Sequence, residues 1–137
     1  MRIEPPTTTN VIAMAAPSGG QGRYSGEQIA HILTTAWTGF RAAVLECGSG
    51  PVAIHTGFWG CGAFGGNRVL MAMLQVIAAG AAGVERLVFH APGDPGAALD
   101  SALRKIRENF AGAPMSDVDL VRRIVAMEFE WGKSDGN

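Results

Sequence analysis

Three short apolar runs, at residues 11–16, 52–56 and 86–91, alternate with stretches whose apolar residues recur every three or four positions. A strand-length run followed by a helical stripe, repeated, implies right-handed crossovers and a mainly parallel sheet covered by helices. The first run ends at Pro17 and opens into Ser18-Gly19-Gly20-Gln21-Gly22. Ser25 and Gln28 then stand three apart, the spacing at which a serine oxygen and a glutamine side chain satisfy a helix's first N–H groups reciprocally. Ile29, Ile32, Leu33, Ala36, Trp37, Phe40 and Val44 follow at helical intervals and define its buried face. His31 falls on the solvent side.

After the second run, Asn67 is positioned to cap a helix striped by Leu70, Met71, Leu74, Ile77, Ala78 and Ala81, which Gly80 and Gly83 weaken and stop. The third run leads to Asp94 and Pro95, an N-cap followed by proline at the first helical position, and then to Leu99, Leu103, Ile106 and Phe110. Ser116 and Asp119 open a last helix with Val118, Val121, Ile124, Val125 and Phe129 on its apolar side. Residues 1–10, with Pro5-Pro6 and three threonines, read as a flexible lead-in, 11–131 as one domain, and 132–137 as a frayed tail. Three strands make a narrow parallel sheet, so the expectation is an incomplete domain that is part of a larger sheet or pairs with another chain.

Charge narrows the functions available. Eleven basic residues against twelve acidic ones, a formal net charge of -1, lack the broad positive surface that coats nucleic acid. The apolar stretch 69–84 is short for a bilayer and broken by Gln75, Gly80 and Gly83, so no membrane partner is expected. Cys47 and Cys61 lie in no metal or disulfide framework, which fits reduced thiols in the cytoplasm.

The unusual segment is 57–67, rich in glycine and free of charge, lying between a strand and a helix. Closely spaced glycines there let backbone N–H groups turn toward an anion, and the helix dipole adds positive potential. A diphosphate suits that arrangement; a tight structural turn is the plainer alternative. Gly60, Gly62 and Gly65 also fit G-x-G-x-x-G, but a dinucleotide site requires an acid at the end of the next strand, whereas Glu85 precedes that strand and Asp94 lies beyond it. No G-K-[ST] follows, which excludes a Walker loop. Cys61, near a helix N-terminus with His55 upstream, is a conceivable nucleophile, and His55, His90 and Cys61 a conceivable metal set. Loop packing is the better reading for Cys61, and no metal site is expected.

Thr56-Gly57-Phe58-Trp59-Gly60-Cys61-Gly62-Ala63-Phe64-Gly65-Gly66 resembles the T-G-N-W-G-C-G-A-F-G-G segment of poly(ADP-ribose) glycohydrolases, differing only at Phe58. The likeness continues through Leu74-Gln75-Val76-Ile77-Ala78-Ala79 and Val88-Phe89, and upstream through Ala36-Trp37-Thr38-Gly39-Phe40, which is similar to the family's A-Y-C-G-F. It implies a three-layer α/β/α macrodomain-like fold, here incomplete, that binds ADP-ribose or its polymer. The implied ligand-binding residues are Gly57, Phe58, Trp59, Gly60, Cys61, Gly62, Ala63, Phe64, Gly65 and Gly66, with the loop around the diphosphate and Phe64 against a ribose. Phe89 and Pro92 occupy the region where the family holds adenine. No cofactor is implied.

The family's catalytic signature, a triple glycine followed by glutamine and two glutamates, has no counterpart: Gly22 and Arg23 follow Gly19-Gly20-Gln21. Cleaving a ribose–ribose bond requires a carboxylic acid and a carboxylate, so no catalytic residue is assigned. Two expectations follow. One is an ADP-ribose-binding portion of a glycohydrolase whose other half comes from another chain or a longer gene product; the other is a noncatalytic ADP-ribose or nucleotide-diphosphate reader, or a degenerate remnant.

Overall fold

The computed structural model describes residues 10–17, 19–90, 96–112 and 114–134. Their elements run α1 (Gly26–Glu46), β1 (Ala53–Thr56), α2 (Arg68–Ala82), β2 (Arg86–Phe89), α3 (Gly96–Phe110) and α4 (Asp117–Val125). The lead-in at 1–9, the Asp94–Pro95 cap, Pro92 and residues 135–137 lie outside the described residues.

Local capping sets the helix starts. Ser25 Oγ accepts the Gln28 N–H at 3.2 Å while Gln28 Oε1 accepts the Ser25 N–H at 2.9 Å, so the expected capping box begins α1. Asn67 Oδ1 accepts the Leu70 N–H at 3.1 Å to begin α2, and Gly83 ends that helix in the left-handed conformation, with φ of 83°. Ser116 caps α4 through the Asp119 N–H.

Helix α2 is the centre of the molecule. Leu70, Met71, Ala72, Met73 and Leu74 are fully buried because the helix is covered on one side by α1 and on another by α3. Its first half joins Tyr24, Ile29, Ile32, Ala102 and Ile124 in one apolar cluster. Its second half, Ala78, Ala79 and Ala82, forms another with Ala36, Phe40, Val52 and Ile54, which seats the sheet on the α1–α2 pair. Small alanines on α2 let the strands approach closely.

Among the described residues the sheet has two parallel strands, with Ile54 opposite Leu87 and Thr56 opposite Phe89. The expected first strand is corrected here: residues 11–16 form no strand, and Val11 is 79% exposed. This segment crosses α1 instead, with Ile12 and Met14 seated over Gly39, where a Cβ would come within 2.5 Å of Met14 Sδ. An apolar run becomes a strand only where another strand accepts its hydrogen bonds, and neither β1 nor β2 does so.

Two expected core faces are also narrower than their periodicity implies. Trp37 on α1 is exposed, as are Val118 and Val125 on α4, which leaves Ile124 as the buried anchor of that helix. Phe129 is buried beyond the end of α4, not on it. Among the described residues, no helix is long and apolar enough to cross a membrane.

Candidate functional site

The glycine segment leaves β1 at its C-terminal end, where open parallel sheets receive ligands. Gly57 passes so close to β2 that a Cβ would stand 2.9 Å from the His90 carbonyl oxygen. Gln75, fully buried on α2, holds this exit: its Oε1 accepts the Thr56 hydroxyl at 2.7 Å, and its Nε2 donates to the Gly57 carbonyl at 3.0 Å. A lone buried amide satisfied at both ends fixes the loop's root to the central helix.

Beyond that root the loop folds on itself. The Cys61 N–H donates to Phe58 O, the Gly65 N–H to Gly62 O and the Gly66 N–H to Gly60 O, at 2.9 to 3.0 Å. Gly60 and Gly65 adopt φ of 74° and 64°, the left-handed region that favours glycine. These bonds leave out the N–H groups of Gly60, Gly62, Ala63 and Phe64, which have no protein acceptor among the described residues. Ala63 and Phe64 lie at the exposed tip, and the loop ends on the Asn67 cap of α2, so free donors and the positive helix end occupy one edge of the molecule.

Two segments flank the loop. On the N-terminal side, Pro17 and Ala16 stand beside Gly60, and Gly19 faces the Phe64 carbonyl. On the C-terminal side, the chain reverses at Glu128, with φ of 54° and its carboxylate paired to Arg23, and runs back antiparallel to Arg23. Tyr24 stacks on Trp131 with ring centroids 4.2 Å apart, and the Tyr24 hydroxyl accepts the Asn67 N–H at 3.0 Å. Residues 132–134 of the expected tail are not frayed: the Gly132 N–H donates to Gly65 O at 2.7 Å, and the Ser134 hydroxyl to Ala63 O at 2.6 Å.

The side chains around the loop divide into packed and open ones. Phe58 packs at 5.6 Å from Phe89 with the Arg68 guanidinium over its face, so this ring ties the loop to β2. Phe64 projects at the tip, 44% exposed. Burial pushes the Cys61 thiol up to about 12, with Arg68 opposing, so the half-buried sulfur holds its proton at neutral pH. The Trp59 indole N–H is buried with no partner among the described residues. His55 and His90 meet, Nδ1 to Nε2, at 2.7 Å in a hydrogen bond between exposed rings. No three His, Cys, Asp or Glu side chains among the described residues gather as metal ligands.

Sequence reasoning located the loop from 57 to 66 but missed Tyr24, Gln75, Gly132 and Ser134. Gln75 carried one legible signal, a polar residue interrupting an apolar stripe. Gly132 and Ser134 carried none, because their bonds go to backbone carbonyls.

Residues 5–98 match the family model described as poly(ADP-ribose) glycohydrolase, macro domain fold. A comparison with curated proteins found no match.

Proposed function

The chain belongs to the poly(ADP-ribose) glycohydrolase family, macro domain fold, and on that footing we propose that its glycine loop binds the diphosphate of ADP-ribose. The observation that carries this reading is the set of N–H groups at Gly60, Gly62, Ala63 and Phe64 that no acceptor among the described residues engages. Backbone donors held by the loop's own bonds meet a diphosphate without a lysine, and the α2 dipole adds to the attraction. Phe64, open at the tip, covers a ribose. Phe58, already packed on Phe89 and Arg68, orders the strand end and offers the ligand an apolar wall.

Glycosidic cleavage is a separate matter. It needs a general acid beside the scissile oxygen, and Arg23, where a family carboxylate is wanted, is engaged by Glu128. These residues alone therefore bind without turnover, and hydrolysis requires the paired glutamates from another chain or a longer gene product. The sheet supports such a partner: a parallel pair with Ala53 and His55 exposed is half of the doubly covered, three-layer arrangement that parallel strands favour. Free thiols at Cys47 and Cys61 fit a cytoplasmic setting. The second reading, a noncatalytic ADP-ribose reader, rests on the same donors and differs only in needing no partner.

Calorimetric titration of the purified chain with ADP-ribose, with AMP as the control and Phe64→Ala as the variant, tests the proposal. Saturable binding of ADP-ribose, weakened in the variant and weaker for AMP, is expected, with no release of ADP-ribose from polymer. A folded chain giving no heat with ADP-ribose overturns it.

A further inference from the structure

The carbonyls of the glycine loop are held from one side by a segment the family match does not reach. Ser134 donates its hydroxyl to Ala63 O, and the Gly132 N–H donates to Gly65 O. In a trans peptide unit the C=O and the following N–H point in opposite directions. Holding Ala63 O toward Ser134 therefore turns the Phe64 N–H away from the segment, to the side where no acceptor among the described residues meets it. Holding Gly65 O toward Gly132 likewise turns the Gly66 N–H back to Gly60 O, the bond that closes the loop at 2.9 Å.

The segment is itself anchored at several points. Tyr24 N–H donates to Phe129 O, Trp131 N–H to Gly22 O, and the Asn67 side-chain amide to Glu130 O at 3.0 Å. The contact leaves no slack: a Cβ on Gly65 would stand 2.9 Å from both Gly132 O and Ser134 N.

We propose that residues 129–134 form a positioning strap for the ADP-ribose site, in which Ser134 aims the Phe64 N–H at the ligand's diphosphate through the Ala63 carbonyl. The ligand part rests on the function proposed above; the loop-positioning part does not. Ser134 and Gly132 never touch the ligand. They act by making the donors preformed, so that binding does not have to order the loop.

The test uses the full chain with Ser134→Ala and Ser134→Thr, read by amide hydrogen exchange and by ADP-ribose titration. Ser134→Ala speeds exchange at Gly65 and Gly66 about tenfold, a local opening that leaves Leu74 and Ala78 in α2 unchanged. It also weakens ADP-ribose binding about fivefold, the loss expected when a bound loop must first be ordered. Ser134→Thr, which keeps the hydroxyl, restores both. A chain ending at Trp131 loses both strap bonds and exchanges faster still at the same amides. Unchanged exchange at Gly65 and Gly66 in both Ser134→Ala and the shortened chain overturns the strap, whether or not ligand binds. Faster exchange with undiminished ADP-ribose affinity overturns the ligand role. Absence of ADP-ribose binding by the unaltered chain refutes the functional reading, while the exchange experiment still decides the strap.

Discussion

Gly65→Ala separates the two demands that the loop places on this position. The first is conformational: φ of 64° is left-handed, which costs an L-residue about 1–2 kcal/mol. The second is steric. The added Cβ meets Gly132 O and Ser134 N at 2.9 Å and Lys133 C at 3.0 Å, all backbone atoms that yield only if the strap lifts. Lifting it breaks the Gly132–Gly65 and Ser134–Ala63 bonds, each about 1 kcal/mol net. The expected loss is about 3–4 kcal/mol, a large part of a domain's typical 5–15 kcal/mol. Gly83→Ala supplies the comparison, since Gly83 has φ of 83° but no atom within 4 Å of the place its methyl group would take. That variant carries the conformational cost alone, and the relief from a stiffer unfolded chain is common to both. Urea unfolding followed by circular dichroism should therefore place Gly65→Ala about 2 kcal/mol below Gly83→Ala, the value of the two strap bonds. Equal losses would refute the claim that the strap is seated on the loop.

Gln75→Met keeps the volume but removes the bonds to the Thr56 hydroxyl and the Gly57 carbonyl, so unfolding experiments should find about 1–3 kcal/mol lost; Thr56→Val combined with it should lose less than the sum. With a thiol reagent at neutral pH, exposed Cys47 should label rapidly and Cys61 much more slowly. The alkaline dependence has a definite sign. Burial raises the folded Cys61 from 9.0 to about 12, so the folded state holds its proton more tightly than the unfolded chain. This contribution is whole below pH 9 and declines as pH rises toward about 12, and a Cys61→Ala variant should show a shallower decline in unfolding titrations. Tyr24, raised chiefly by burial, adds in the same direction.

What the sequence disclosed follows how local each cause is. Ser25 with Gln28, Asn67 and Ser116 with Asp119 each satisfy helix donors within four residues, and their helices begin where those residues stand. The loop was legible because glycine spacing and the Phe64–Gly66 pattern are written in residue types. The run at 11–16 has the composition of a strand, yet pairing depends on a neighbour that composition does not specify, and Gly39 offers Ile12 and Met14 an alternative seat. Periodicity gave α4 an apolar side but not the extent of its cover, so Val118 stands exposed while Ile124 is buried. The strap was invisible because Gly132 reaches across the fold through a backbone N–H that every non-proline residue possesses.

The proposed function stands or falls on the free loop amides acting as diphosphate donors, and amide chemical-shift mapping of the full chain during titration with ADP-ribose reads them one by one. Saturating shifts concentrated at Gly60, Gly62, Ala63 and Phe64, with smaller ones at Gly65 and Gly66, whose N–H groups are already bonded within the loop, are the predicted result. Binding that leaves those four amides unmoved while shifting residues elsewhere would contradict the assignment of the loop as the diphosphate site.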